Sequence, residues 1–451
     1  MAKRPAGLIY GVDDRPAWPV LGLLALQHIM LISSTLVLPI VLVSEIGGSP
    51  VEIRSVVALS MMACGLGTVV QALRFPGIGS GYLCPNLVGP NFFAASMGAA
   101  WAGGLPLMRG MTIAAGLVEA IFARILPRLS FLFPTEITGL VVFMVGVGLV
   151  PLGTSKFVHV DYAGEPIRIT SLVVAAITLA LMVGINVWGG RRLKLYGVLI
   201  GIAAGYGLSM LAGLLTDTQF DDVAVAPWIG LPGYPGLWQI SFSWSLLPGF
   251  AIVSICGGLK SFGNLVMAEK ANDDDWRAPD LRRISGGLMA DAVSVTASGL
   301  LGGVATDTSS SNVSLSGASG ATSRWIAYAV GALLVLLGFS PKLAAVLSVV
   351  PTPVAGAILV FVICFMMLSG LQIIVTTRPD SRKIFVVGIA LTFGLSLDIL
   401  PGLYAQVGPW LRPLFGSSLT LTVVLAVILN QLLAFGVRPN DPSAAPPVAE
   451  G

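Results

Sequence analysis

Charge is what this 451-residue chain has least of: Asp, Glu, Lys and Arg make up 10% of it, against roughly a quarter in soluble domains. A net charge of +3 is too small to argue for nucleic acid as a partner. With two histidines, His28 and His159, a histidine-rich metal site is excluded, and neither a metal nor a cofactor is expected. The four cysteines, Cys64, Cys84, Cys256 and Cys364, fall in or beside apolar runs without a CxxC pair. They read as small buried hydrophobes, not as a redox framework. No nucleophile–base pair, phosphate loop or sizeable soluble domain is visible, so an enzyme is not expected. A cleavable signal peptide is not expected either: Met1 to Pro19 is polar, and the first apolar run is too long for a signal core.

Apolar residues are what the chain has in abundance, at 55%. Runs of bilayer-crossing length, roughly 17–25 residues, occupy about 18–43, 54–73, 107–126, 134–152, 170–189, 195–215, 243–267, 284–302, 322–340, 350–376, 382–402 and 416–437. Two further spans are due near 79–98 and 303–320, but both are interrupted. Residues 306–324 read TDTSSSNVSLSGASGATSR, with seven serines and three threonines. Lipid cannot satisfy irregular backbone, so such a stretch must be buried in protein or line a polar cavity. The other break is Gly79-Ser-Gly-Tyr-Leu-Cys-Pro-Asn-Leu-Val-Gly-Pro-Asn91. The expected fold is therefore an all-α polytopic membrane protein with fourteen spans in a seven-plus-seven inverted repeat. Spans 3 and 10 are each broken into a short strand plus a half-helix, a pattern that points to a midplane site between repeats.

The charges agree with this count. Of the 25 Lys and Arg, 18 fall on one side of the fourteen-span arrangement. Six fall on the other (Arg54, Arg109, Lys156, Arg168, Lys342 and Arg412), and Lys260 lies inside a span. By the positive-inside rule both termini are cytoplasmic, in what is expected to be a bacterial inner membrane. Trp18, Trp101, Trp228, Trp238 and Trp410 sit near span ends, as an interfacial belt requires. Residues 268–283 read as a charged cytoplasmic connector and the tail from Asn440 as disordered.

At the first break, Pro90 suits the first turn of a helix. At the second, Ser310, Ser311 and Asn312 are suitable caps. Each half-helix then aims free N–H groups, with about half a positive charge, into the protein, which favours acceptor-rich or negative ligands. Close helix packing through small residues is the competing explanation.

Several short motifs occur in order along the chain. They are Gln27-His28 in the first span, Gly79-Ser80-Gly81 followed by Pro85 and Asn91-Phe92, and Phe133-Pro134 with Thr138-Gly139. Further on come Ala290-Asp291, then Ser311-Asn312-Val313-Ser314 through Ser319-Gly320, closing on Ser323-Arg324. Their order and spacing resemble the nucleobase–ascorbate (nucleobase:cation symporter-2) transporters, the xanthine/uracil permeases, over nearly the whole chain. The resemblance implies a core domain of spans 1–4 (residues 18–130) and 8–11 (241–340), and a gate domain of spans 5–7 (131–240) and 12–14 (341–438). Residues 1–17 would be a cytoplasmic N-terminus and 439–451 a disordered cytoplasmic tail. It also implies proton- or sodium-coupled uptake of purines or pyrimidines across the lipid bilayer, elevator-like motion of core against gate, and a homodimer. Substrate-binding positions would be Gln27, His28, Tyr82, Asn91, Phe92, Lys260, Ser311 and Asn312, with Asp307, Asp291 and Asn264 in coupling or supporting roles.

Three positions depart from the family pattern, one of them Ser314, which stands where a glycine is usual two residues after the signature asparagine. Aligned on Gly263-Asn264, Lys260 stands where the family usually has a base-binding carboxylate, and Ser311 where it has Gln or Glu. A lysine at a helix centre costs roughly 2.5–3.5 kcal/mol on insertion scales, so it faces a cavity or a partner. Three readings are open: an anionic-substrate ligand, an ion pair with Asp307 or Asp291, or a side chain snorkelling to the interface. His28 reads as a site residue or as a structural bridge between core spans. Asp307 reads as a proton carrier or a helix cap, and Asp291 and Glu119 as packing residues first. Tyr82, Phe92 and Phe262 suit stacking on a flat ligand or plain core packing. The expected substrate is an acceptor-rich or anionic purine such as urate or xanthine. The rival is an inorganic anion transporter or channel on the same fold.

Overall fold

The computed structural model describes residues 4–5, 8–129, 135–160, 166–190, 193, 197–214, 224–277, 279–348, 351–375, 380–404 and 418–434. Phe133, Pro134, Trp410 and the tail 439–451 lie outside the described residues. The elements in chain order are α1 (Trp18–Ser33), α2 (Val37–Glu45), α3 (Pro50–Ala72), β1 (Asn86–Val88), α4 (Pro90–Leu129), α5 (Thr135–Gly148), α6 (Val150–Val158), α7 (Ile169–Trp188) and α8 (Gly197–Leu211). Then follow α9 (Leu247–Lys270), α10 (Leu281–Leu301), β2 (Thr306–Thr308), α11 (Ser310–Ser319), α12 (Arg324–Gly338), α13 (Pro341–Ser348), α14 (Thr352–Val375), α15 (Ser381–Ile399) and α16 (Ser418–Leu432).

Among the described residues, seven helical segments are long and apolar enough to cross a membrane: Trp18–Glu45, Pro50–Ala72, Pro90–Leu126, Gly139–Val158, Ile169–Trp188, Leu247–Lys270 and Leu281–Leu301. Shorter apolar helices accompany them at Ile200–Leu211, Arg324–Gly338, Thr352–Phe361 and Leu421–Leu432. Local chemistry marks where helices begin. Ser49 caps α3 in a reciprocal box with Glu52, with Pro50 at the first helical position. Asp280 and Asp380 cap α10 and α15 through backbone N–H groups two or three residues on.

The runs expected at 79–98 and 107–126 are joined without a loop. The segment α4 is two helices meeting at Gly103 and Gly104, both of which leave helical backbone, with φ +69° at Gly104. That left-handed conformation is open to glycine and strained for residues with a Cβ. Helix α4 packs against α9 and α10, and α3 against α10 and α12, with α1 on α12. In a second set, α14 packs against α5, α6 and α7, α7 against α8, and α16 against α15 and α5. Trp18, Trp101, Trp228 and Trp238 are all exposed on the surface, in keeping with an interfacial belt.

One buried cation ties the first set together. Arg109 on α4 is 1% exposed. Its guanidinium donates to the carbonyls of Gly299 (3.1 Å) and Leu300 (2.8 Å) at the end of α10, and to Gln239 (3.0 Å). The carbonyl end of a helix is where a cation belongs. Arg109→Ala should lower the unfolding stability of the purified protein by about 3 kcal/mol, because three charge-assisted bonds vanish and buried carbonyls lose their partner. Arg109→Lys, a point charge without the guanidinium fork, should recover less than half of that. Thermal unfolding in detergent measures both.

Candidate substrate site at the crossed strands

The two interrupted segments meet. Strands β1 and β2 pair antiparallel, with Asn86 opposite Thr308, Leu87 opposite Asp307 and Val88 opposite Thr306. Backbone bonds from Gly89 N–H to the Ala305 carbonyl (2.8 Å) and from Ser309 N–H to the Pro85 carbonyl (2.9 Å) extend the ladder. Every residue of both strands is buried. Each strand runs into a helix, α4 from Pro90 and α11 from Ser310, so two helix N-termini flank the pair. The cap of α11 is Ser309, whose hydroxyl accepts from the Asn312 N–H, one residue earlier than the serines expected from the sequence. The short ladder shifts the boundary: Ser309 keeps extended backbone while its N–H is held by Pro85. The first break is anchored through Gly79, where φ is +88° and the N–H donates to the Gly286 carbonyl at 2.8 Å.

The side chains around the strands form one buried polar network. Lys260 Nζ on α9 donates to Asp307 Oδ2 at 2.7 Å; the lysine side chain is 13% exposed and the aspartate fully buried. Of the three readings open for Lys260, the ion pair is the one present, and its partner is Asp307. Asn91, at the start of α4, also donates to Asp307 Oδ2. Ser261 donates to Asp291, lies 3.2 Å from Asp307 Oδ1, and shares a hydrogen bond with the Thr308 hydroxyl at 2.7 Å. Asp291 on α10 accepts from Asn86 Nδ2 at 2.8 Å. Asn264 donates to the Thr308 hydroxyl (2.9 Å) and carbonyl (3.2 Å). Asn86, Ser261, Asn264, Asp291, Asp307 and Thr308 are all buried. Glu119 on α4 lies against Gly258 and interacts electrostatically with Asp291 and Asp307. Asp307, Asp291 and Glu119 are therefore buried carboxylates near one another, and Lys260 pairs with Asp307. A charge is retained in such a low-dielectric interior only when it is paired and hydrogen-bonded, as Asp307 is.

A separate chain of hydrogen bonds begins at His28 on α1. Its Nδ1 lies 2.7 Å from Asn312 Oδ1, a bond that the Nδ1–H tautomer donates, and both residues are buried. Asn312 Nδ2 in turn donates to Ser309 Oγ at 2.8 Å. Phe92 is buried and packs on the face of α9 at Gly257. Ser311 is exposed, its hydroxyl 3.2 Å from Ser309 Oγ. Gln27 is half-buried beside His28 and outside the hydrogen-bond network. Tyr82 sits apart, in an apolar cluster with Phe122 and Leu288, where its hydroxyl accepts from Arg283 at 3.0 Å. Its position suits a packing role and not stacking at the strands.

Asn86, Ser261 and Thr308 carry no signal of their own in the sequence. Asn86 is marked only as a polar residue inside the first break, and Ser261 only as the neighbour of Lys260. Two clefts elsewhere do not involve the strands. One, of about 460 Å³, is lined by Pro76, Gly77, Arg124, Leu281, Arg282 and Ser285. The other, of about 260 Å³, lies around Glu136, Ile374 and Lys383, where Lys383 Nζ is 3.9 Å from the Glu136 carboxylate.

The overall fold is shared with solved structures. The transmembrane domain of a cyanobacterium bicarbonate transporter, BicA, superimposes with a TM-score of 0.56 at 15% identity, covering 93% of this chain and 99% of that one. SLC26A9 does so with a TM-score of 0.59 at 13% identity, covering 92% of this chain and 65% of that one. At these identities the likeness concerns the fold alone. Sequence relatives are closer in kind. The xanthine permease XanP of Escherichia coli is 23% identical over 441 residues, 94% of each chain. The uric acid permease PucJ of Bacillus subtilis is 25% identical over 433 residues, 92% of each chain. Residues 21–403 match the permease-family model for xanthine and uracil permeases. The chain is thus a membrane transport protein that belongs to the xanthine/uracil permease family, the nucleobase–ascorbate transporters.

Proposed function

We propose that the protein is a secondary active transporter that selects acceptor-rich or anionic purines, such as xanthine or urate, over neutral uracil. The observation that carries this reading is the Lys260–Asp307 pair beside the crossed strands. An ammonium offers three donors and no acceptor. Asp307 takes one of them, and the rest suit acceptors that uracil lacks: the imidazole nitrogen of a purine beside a ring carbonyl, or the anion of urate. The carboxylate usual in the family at this position would accept from ring N–H groups instead, so the edge that is read is reversed. The names of XanP and PucJ support the substrate class.

The transport cycle we infer is elevator-like. The two sets of packed helices support a core of residues 18–130 with 241–340, moving against a gate of 131–240 with 341–438. Two strand-to-helix breaks in corresponding places support fourteen crossings in two inverted halves. The charge bias along the sequence supports cytoplasmic termini in a bacterial inner membrane. A coupling proton would be carried among Asp307, Asp291 and Glu119, three carboxylates buried near one another; sodium is the other candidate. A homodimer is expected.

The inorganic anion reading has the fold likeness to BicA and SLC26A9 and the buried lysine in its favour. It is weakened by the sequence relatives matched over nearly the whole chain, XanP and PucJ, which are named as xanthine and uric acid permeases. Uptake of xanthine, urate and uracil by proteoliposomes, with and without a proton gradient, tests the proposal. Wild type should take up the two purines in preference to uracil. Lys260→Gln and Lys260→Glu should lose that preference by at least about tenfold, the worth of one good charge-assisted bond. Unchanged selectivity in both variants would sink the reading.

A further inference from the structure

The 460 Å³ cleft lies between the loop after α3 (Pro76, Gly77), the C-terminal part of α4 (Arg124) and the first turn of α10 (Leu281, Arg282, Ser285). None of its lining residues belongs to the strands or to the polar network around Lys260 and Asp307. Two exposed guanidiniums face it, and no carboxylate lines it. Neighbouring arginines are matched with acids: Arg74 and Arg324 with Asp13, and Arg283 with Asp280. Among the described residues, Arg124 and Arg282 have no acidic partner. Ser285 donates its hydroxyl proton to the Ala123 carbonyl at 2.8 Å, which leaves its oxygen free to accept.

An apolar track leads to the cleft. Leu117 and Ile121 are 57% and 61% exposed, and they stand seven and three residues before Arg124, on the same face of α4. Phe75 and Leu281 are exposed at its rim. Arg74, beside this cleft, pairs with Asp13 of the N-terminal segment, so the cleft opens on the face that carries that segment. Basic pockets between helices at the cytoplasmic end of a membrane protein match anionic headgroups, and an adjoining apolar stripe matches their acyl chains.

We propose that this cleft is a binding site for an anionic phospholipid, with the headgroup phosphate held between Arg124 and Arg282 and an acyl chain laid along Ile121 and Leu117. Both features are needed by a lipid, whereas a soluble phosphate would use only the arginines.

The test is native mass spectrometry and thermal unfolding of the full-length protein in detergent, titrated separately with phosphatidylglycerol, phosphatidylcholine and inorganic phosphate. Phosphatidylglycerol should be retained and should raise the unfolding temperature; phosphatidylcholine should do so far less, and inorganic phosphate not at all. Each arginine near an anionic surface is worth roughly fivefold in occupancy, so Arg124→Gln/Arg282→Gln should bind phosphatidylglycerol on the order of 20-fold more weakly. Both side chains are exposed, and without lipid the double variant should unfold at the wild-type temperature. Ile121→Gln, which keeps both charges, should also weaken the lipid. Equal retention of the two lipids, wild-type binding by the double variant, or stabilisation by inorganic phosphate equal to that by phosphatidylglycerol would each overturn the proposal. If the double variant does not fold, the wild-type comparison of the three ligands still decides.

Discussion

Lys260→Gln should destabilise the purified protein by about 3 kcal/mol, and adding Asp307→Asn should restore most of that loss. Lys260 and Asp307 form a 2.7 Å ion pair in which the aspartate side chain is fully buried. Removing the cation leaves a buried carboxylate held by neutral donors such as Asn91 and Ser261. An uncompensated buried charge is the costly state; a neutral pair of similar shape is not. Asp307→Asn alone should cost less than Lys260→Gln, because the 13% exposure of the lysine lets it reach water. The four proteins form a double-mutant cycle readable by thermal unfolding in detergent, with an expected coupling of about 2 kcal/mol. Additive losses would show that the two charges do not act as a unit. The double variant should fold and still lose the preference for acceptor-rich purines, which separates stability from recognition.

Asp291→Ala should have the larger structural effect, about 4 kcal/mol, with loss of uptake. Asp291 receives Asn86 from β1 and Ser261 from α9 while itself standing on α10. Two charge-assisted bonds between buried partners are each worth about 1.5–3 kcal/mol. Their loss also unlocks β1 from α10, and so disturbs the strand pair that positions Asp307. Asp291→Asn keeps a carbonyl for the Asn86 amide and should retain more than half of the lost stability. If it also transports as wild type, Asp291 only holds the strands; if it folds normally but no longer accumulates substrate against a gradient, its charge takes part in coupling. Far-UV circular dichroism melts together with proteoliposome uptake make the distinction.

The two breaks were legible because each violates what a lipid-facing helix must be: polar, glycine-rich backbone where a span is due. Lys260 was legible for the same reason, as a charge inside an apolar run. Its partner was narrowed to Asp307 or Asp291 but not decided, since the choice depends on how α9 is rotated against β2. That rotation is set by glycine-level contacts such as Gly257 against Phe92 and Gly258 against Phe122. The pairing of Asn86 with Thr308 is a contact between distant halves and leaves no periodicity to detect. His28 and Asn312 each stood out as a polar residue in or near a span, yet the bond between them needs the fold. Tyr82 shows the opposite case. Its place at the first break suggested stacking on a ligand, but Arg283 draws its hydroxyl toward the start of α10.

The central claim is that the crossed strands and Lys260 bind a purine. Ligand-induced thermal stabilisation of the purified protein tests it most directly, with xanthine, urate and uracil set against bicarbonate, sulfate and chloride. The account predicts a raised unfolding temperature with xanthine or urate, little change with uracil or the inorganic anions, and loss of the effect in Lys260→Gln/Asp307→Asn. Stabilisation by bicarbonate, sulfate or chloride with none by any purine would contradict it.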